Sequence, residues 1–179
     1  MASFLVIGCA GTGKSTVGRI LEQRGYVVVD TDFEPGLSGY YDKKTGEKLE
    51  KFTYPLSENF SLKYTWAWNE VVFDRILELN KNNNLIFVGG SDNQEKFVQK
   101  VDKTFCLYVN GNTLEKRLFK REPERWFKGS TELATNLYWN EILPVRCVEI
   151  GVTVVEGDRD PKLVASNIEL LIRKYRSEI

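Results

Sequence analysis

Histidine is absent from this chain of 179 residues. That excludes an imidazole general base, a Ser-His pair and a histidine-held metal, and leaves proton transfer and metal binding to carboxylates, lysines and hydroxyls. Net charge is absent too, since Lys+Arg and Asp+Glu both number 25. No global field draws the chain to nucleic acid or to an acidic membrane surface, so neither is expected as a partner. Only three cysteines occur, Cys9, Cys106 and Cys147. They have no CxxC spacing, which argues against a zinc site or a disulfide framework. Cys106 lies in an apolar run and reads as a small core residue. No apolar stretch approaches the ~20 residues that cross a bilayer. The first apolar run is only Phe4 to Ile7, with no basic residue before it, which does not read as a signal peptide. The expectation is a soluble cytoplasmic protein, acting as a monomer or a dimer.

Short apolar runs alternate with longer helical patterns, the pattern of repeated βαβ units and a parallel sheet. Strands are expected at Phe4–Ile7, Tyr26–Val29, Leu85–Val88, Thr104–Val109 and Val152–Val155. Most lack clean alternation, as strands buried on both faces do. Helices are expected at Lys14–Arg24, Leu62–Asn80, Asn112–Arg121, Thr131–Val148 and Pro161–Lys174. Pro144 is expected to kink or break the fourth of these. The whole chain, 1–179, reads as one domain. Within it, Thr31–Ser61 is long and irregular and carries Tyr40, Tyr41, Phe52 and Pro55. A loop of that length in a compact domain has a function or is disordered, and its aromatics point to an ordered insertion facing the acceptor.

Gly8-Cys9-Ala10-Gly11-Thr12-Gly13-Lys14-Ser15 matches GxxxxGK[ST] between a predicted strand and a predicted helix. Glycines let successive backbone N–H groups face phosphate oxygens, and the helix N-terminus adds positive potential. Gly11, Thr12, Gly13, Lys14, Ser15 and Thr16 are therefore expected to bind ATP. Lys14 would reach the β- and γ-phosphates, and the Ser15 hydroxyl would ligate Mg²⁺. Asp30 and Asp32 end the second predicted strand, the sheet edge where ligands sit in open α/β folds. A carboxylate there can serve the second shell of Mg²⁺ or accept a proton from an attacking hydroxyl.

The phosphate loop, followed by Asp30-Thr31-Asp32, resembles the shikimate kinase branch of the small P-loop kinases, relatives of the nucleoside monophosphate kinases. Phe87-Val88-Gly89-Gly90-Ser91, Leu114 through Arg121, and Gly157-Asp158-Arg159-Asp160-Pro161 are similar to further segments of that family. The resemblance implies a three-layer α/β sandwich with a five-stranded parallel sheet of order 2-3-1-4-5. It implies ATP-dependent transfer of the γ-phosphate to a small-molecule acceptor, a metabolite or nucleoside-like hydroxyl, with Mg²⁺. It also implies roles: Asp30 would hold Mg²⁺ through water, and Asp32 would orient or deprotonate the acceptor. Gly89 and Gly90 would let the backbone approach the acceptor, Arg117 would stack on adenine, and Arg121 would stabilise the transferring phosphoryl group. No Asp ends the third strand, which leaves Asp30 and Asp32 as the metal-side acids.

Shikimate kinases hold their substrate carboxylate with arginines in three places. The corresponding segments here read Lys63 to Glu70, Arg121-Glu122-Pro123-Glu124-Arg125-Trp126, and Glu141 to Arg146, and do not match. A nucleoside monophosphate kinase would need arginines near the acceptor phosphate, and 31–61 supplies none. A reading of another class is a nucleotide-gated binding protein, whose ATP state orders a loop for a partner. Trp66 and Trp68 cannot share a face of the expected helix. Either one lies in the core and the other lines the acceptor pocket, or both pack under the long loop. Arg117, Lys120, Arg121 and Arg125 form either a solvated helix face or a phosphate-serving cluster. The lid spans 121–131, and Trp126-Phe127-Lys128-Gly129 reads as its hydrophobic tip, closing over the nucleotide.

Overall fold

The computed structural model describes all residues except 54, 55, 57, 58, 124, 127 and 179; the expectations on Pro55, Glu124 and Phe127 lie outside the described residues. Five parallel strands form the main sheet: β1 (Ser3–Ile7), β2 (Val27–Asp30), β5 (Leu85–Val88), β6 (Lys103–Tyr108) and β7 (Thr153–Glu156). Their order is β2-β5-β1-β6-β7. Counted among these five strands alone, that is 2-3-1-4-5; two strands outside the sheet shift the chain-order labels.

Alternation along β1 sets the layers. Phe4 and Val6 point to one side, where they meet Val17 and Leu21 of α1 (Lys14–Gln23) and Ile168 and Ile172 of α7 (Pro161–Glu178). Leu5 and Ile7 point to the other, against Phe73 of α3 (Glu70–Leu79), Phe97 of α4 (Glu95–Val98) and Leu143 and Cys147 of α6 (Thr131–Glu149). Phe73 and Phe87 stack with ring centroids 4.0 Å apart. Each such fully buried side chain contributes about 1.5–3 kcal/mol. A third cluster joins Leu114 and Leu118 of α5 (Gly111–Arg121) to Trp126 and Leu133. No helix among the described residues is long and apolar enough to cross a membrane.

One local expectation is overturned. The segment expected as one helix from Leu62 splits into α2 (Phe60–Lys63), strand β4 (Tyr64–Trp68) and α3. β4 pairs antiparallel with β3 (Ser38–Asp42), inside the stretch expected to be irregular, in the register Tyr40↔Trp66 and Ser38↔Trp68. Tyr-Thr-Trp-Ala-Trp is rich in aromatic and β-branched residues, which suit a pleated, half-buried surface. The helix starts only where Asn69 caps it, its side chain accepting from the N–H groups of Val71 and Val72. On a strand, residues two apart share a face, so Trp66 and Trp68 lie on one side of the ribbon. At Pro144 the helix does not break: α6 runs through it for 19 residues. Buried Leu143 and Cys147 flank the proline and hold the helix against the sheet, where packing outweighs the single backbone bond that proline removes.

Candidate active site

β1 lies between β5 and β6, the point where successive crossovers leave in opposite directions along the sheet. In open α/β folds this switch point opens a crevice at the C-terminal strand ends. Here the crevice is a cavity of about 990 Å³ that extends from the phosphate loop to the β3–β4 hairpin. Gly11, Thr12, Gly13, Lys14, Ser15 and Thr16 all line it.

The loop is held open by contacts from three directions. Gly13 adopts a left-handed conformation (φ 105°) as α1 begins, and no side chain caps that helix, so its first N–H groups face the cavity. Lys14 Nζ donates to the Cys9 carbonyl at 2.9 Å, folding the ammonium back across the loop. From α6, Asn136 takes the Ala10 N–H on Oδ1 (3.2 Å) and returns a bond from Nδ2 to the Ala10 carbonyl (3.0 Å). From α5, the Arg117 guanidinium donates to the carbonyls of Thr12 (3.2 Å) and Gly157 (3.0 Å).

An uncapped helix start, a lysine within the loop and the Ser15 hydroxyl make a donor set that fits nucleotide phosphates and Mg²⁺. Among the described residues no three acidic or thiol groups converge as a metal cage. A metal here would be shared between Ser15, water and phosphate oxygens.

Lys14 lines the cavity, half-buried, and burial pushes its pKa down; Asp32 and Asp30 oppose that shift in part. Asp32 lines the cavity and is pushed up, first by the protein crowding it and then by Asp30, against the pull of Lys14. Trp66, which also lines the cavity, offsets part of that upward shift. Asp30 is not among the cavity-lining residues; its Oδ1 accepts the Asp32 N–H at 3.2 Å and so orients the turn. The Cys9 thiol is raised to about 11 by burial, which keeps it protonated and inert.

Of the other sequence-predicted site residues, Gly90, Arg117, Arg121 and Arg125 line the cavity, and Lys120 does not. Gly89 is a correction. It continues β5, its N–H donating to Val6, and a Cβ there would lie 1.7 Å from Thr31 Oγ1. Its missing side chain makes room for Thr31 rather than for an acceptor. Trp126 lines the cavity as well and is 3% exposed. It packs with Leu118 and Leu133, lies under the Arg125 guanidinium at 4.3 Å, and donates to Glu122 at 3.2 Å.

Sequence reasoning missed Asp92, Gln94, Glu132, Thr135 and Asn136, which also line the cavity. Two signals were available. Asp92 and Gln94 follow β5 at the edge where ligands sit, four and six residues past its last residue. Glu132, Thr135, Asn136, Trp139 and Leu143 recur at helical spacing, one face of α6. Asp92 also anchors the hairpin, its Oδ2 accepting from Thr65 Oγ1 (2.6 Å) and Trp66 N (3.0 Å).

Among solved structures the chain is similar to a shikimate kinase from Acinetobacter baumannii in complex with shikimate. That match has 20% identity over 97% of this chain and 94% of that one, with a TM-score of 0.61. A shikimate kinase from Bacteroides thetaiotaomicron is 18% identical over 96% and 98% of the two chains (TM-score 0.58). A gluconokinase from Sinorhizobium meliloti 1021 is 19% identical over 99% and 97% (TM-score 0.56). No curated protein matches the sequence. At these identities the likeness shows a shared fold, that of the small P-loop kinases of the shikimate kinase-like group. A family profile described as an AAA domain matches residues 5–134, and the chain belongs to that family.

Proposed function

We propose that the protein is an ATP-dependent phosphotransferase that moves a γ-phosphate to a hydroxyl of a small-molecule acceptor. The observation that carries this reading is a single cavity lined by the phosphate loop, by Asp32 and by an aromatic hairpin wall beyond them. Its volume, about 990 Å³, is at the upper end of the ~300–1,000 Å³ range of ligand pockets, room for a second ligand beside the nucleotide. The similar structures include a shikimate kinase in complex with shikimate and a gluconokinase.

In this reading the loop N–H groups and Lys14 hold the phosphates and offset their charge. Asp32 takes the proton from the acceptor hydroxyl as its oxygen bonds to the γ-phosphorus and the bond to the bridging oxygen of ADP breaks. Arg121 faces the transferring group, and Ser15, with Asp30 behind Asp32, would hold Mg²⁺, which would supply neutralisation of the phosphate charge. Arg117 joins the phosphate loop to Gly157, a position beside the adenine. The insertion 31–61 forms the acceptor side, and 121–131 the lid of one domain, 1–179. Free thiols at Cys9, Cys106 and Cys147 suit a reducing cytoplasm.

The test is ADP release from MgATP with pooled acceptors, alongside Lys14→Ala and Asp32→Asn. A pool that raises turnover by orders of magnitude, with both variants silent, supports the reading. ATP binding without acceleration by any pool or by cell extract overturns it and favours a nucleotide-gated binding protein.

A further inference from the structure

The two ends of the cavity differ in chemistry. Its cations, Lys14, Arg19, Arg117, Arg121 and Arg125, come from α1, α5 and the lid, the segments that frame the phosphate loop. Among the described residues, the hairpin, α2 and the segment 90–94 contribute no cation to the lining. Lys63, the nearest in sequence, stands beside Asp42 at 3.9 Å and over the Tyr64 ring, and does not line the cavity.

The hairpin end is aromatic instead. Tyr40, Phe60, Tyr64 and Trp66 line it, half-buried. Tyr40 meets Trp66 edge-on at 4.9 Å and Phe60 at 4.8 Å, which holds these rings in fixed orientations. Trp66 and Asp32 both line the cavity, and Trp66 is near enough to act on the Asp32 carboxylate, so the aromatic wall begins beside the proposed base. Gln94, 9% exposed, spends its Oε1 on the Ser91 N–H at 3.4 Å and also lines the cavity. The acids Asp32 and Asp92 stand at the same end.

An anionic acceptor lying against the hairpin would bring its charge beside Asp92 and Asp32. Among the described residues the only cations in reach, Lys14 and Arg121, belong to the phosphate end and serve the nucleotide, and desolvating a charge left without a partner of its own is costly. A flat uncharged ring meets no such cost and gains contact with the aromatic wall. Resting on the kinase reading, we infer that the acceptor is an uncharged hydroxylated molecule carrying a planar ring, of the nucleoside class. Its ring lies against Trp66 and Tyr40, its hydroxyl at Asp32, and the Gln94 amide is placed to read its polar edge. The carboxylated acceptors named for the similar kinases do not fit this end.

The experiment is calorimetric titration of the full chain with matched pairs: adenosine, guanosine, cytidine, uridine and thymidine against their 5′-monophosphates. Ribose, gluconate, shikimate and an amino sugar complete the panel. Each is run with and without a non-hydrolysable ATP analogue and Mg²⁺, so that the nucleotide site is occupied in one arm. At least one nucleoside is expected to bind at least 10-fold more tightly than its monophosphate and than every compound that lacks a planar base. Trp66→Ala is expected to lose that affinity 10-fold or more and Trp66→Phe to keep most of it, with unfolding midpoints showing that both variants fold. Equal or tighter binding of a monophosphate, a sugar acid or the amino sugar overturns the inference, as does the absence of nucleoside binding. ADP formation is read separately. Phosphorylation of a sugar acid would sink the ring inference and leave phosphotransfer standing, whereas nucleoside binding with no ADP would do the reverse.

Discussion

The Asn136 side-chain amide closes a two-bond ring with the backbone of Ala10, taking its N–H at 3.2 Å and donating to its carbonyl at 3.0 Å across 126 positions of sequence. The phosphate loop is thereby fixed to α6, the helix that follows the lid. Asn136→Ala removes both bonds and leaves a part-buried N–H unpaired, a loss of about 1–3 kcal/mol. The expected outcome is roughly 10-fold weaker binding of an ATP analogue, the factor that ~1.4 kcal/mol represents, measured by calorimetry. Unchanged affinity would show that the loop keeps its shape without the clamp.

Lys14 and Asp32 are expected to separate binding from transfer. Lys14→Met should abolish ATP binding yet raise the unfolding midpoint, because burial holds the ammonium below its ordinary pKa and so disfavours the folded state. A gain of ~1 kcal/mol corresponds to about 2–4 °C in a domain of this size. Asp32→Asn should keep the ATP analogue's affinity and lower kcat by about 10²–10⁴, the contribution of a general base. Equal loss of binding in both variants would contradict this division.

The pH dependence follows from the direction of the Asp32 shift. Its pKa lies above the ordinary carboxylate range, so a base at this position is switched off at a pH above ~3.9. The acid limb of kcat/KM is expected to have its midpoint above that value, and a midpoint at or below it would remove Asp32 as the base. Stability runs in the opposite sense. The folded state holds this proton more tightly than the unfolded state. The contribution is therefore complete below the unfolded pKa and is lost as pH rises through the folded one. Asp32→Asn should flatten that part of the curve of unfolding midpoint against pH.

Gly89 and Thr31 should be energetically coupled. A methyl group at 89 would fall 1.7 Å from Thr31 Oγ1 and 2.9 Å from its Cβ, so Gly89→Ala is expected to cost about 1–3 kcal/mol. In the Thr31→Ala background the shorter clash disappears while the Cβ contact remains, and part of the loss should return. A double-mutant cycle by chemical denaturation measures this, and strictly additive effects would place the strain elsewhere.

Much of this protein is local in its causes and so is written along the chain. The five parallel strands are continuous apolar runs because both faces of the sheet are covered, and α1 starts at Lys14 because a glycine-rich turn precedes it. Gly8 to Thr16 could be read as one phosphate loop because all its donors lie on adjacent residues. Other features depend on partners far away. Tyr64 to Trp68 has aromatic residues that fit a helix count as well as a strand, and pairing with Ser38 to Asp42 decided for the strand. Trp126 carried no local sign of Leu114, Leu118 and Leu133, the residues that bury it. Gly89 seemed open to a ligand until the β2 end placed Thr31 against it, and Asn136 carried no local sign of its bond to Ala10. Period, propensity and motif are properties of neighbouring residues, which sequence alone determines. Which face is buried, which polar group finds a partner and which cavity a side chain lines are settled only when distant segments meet.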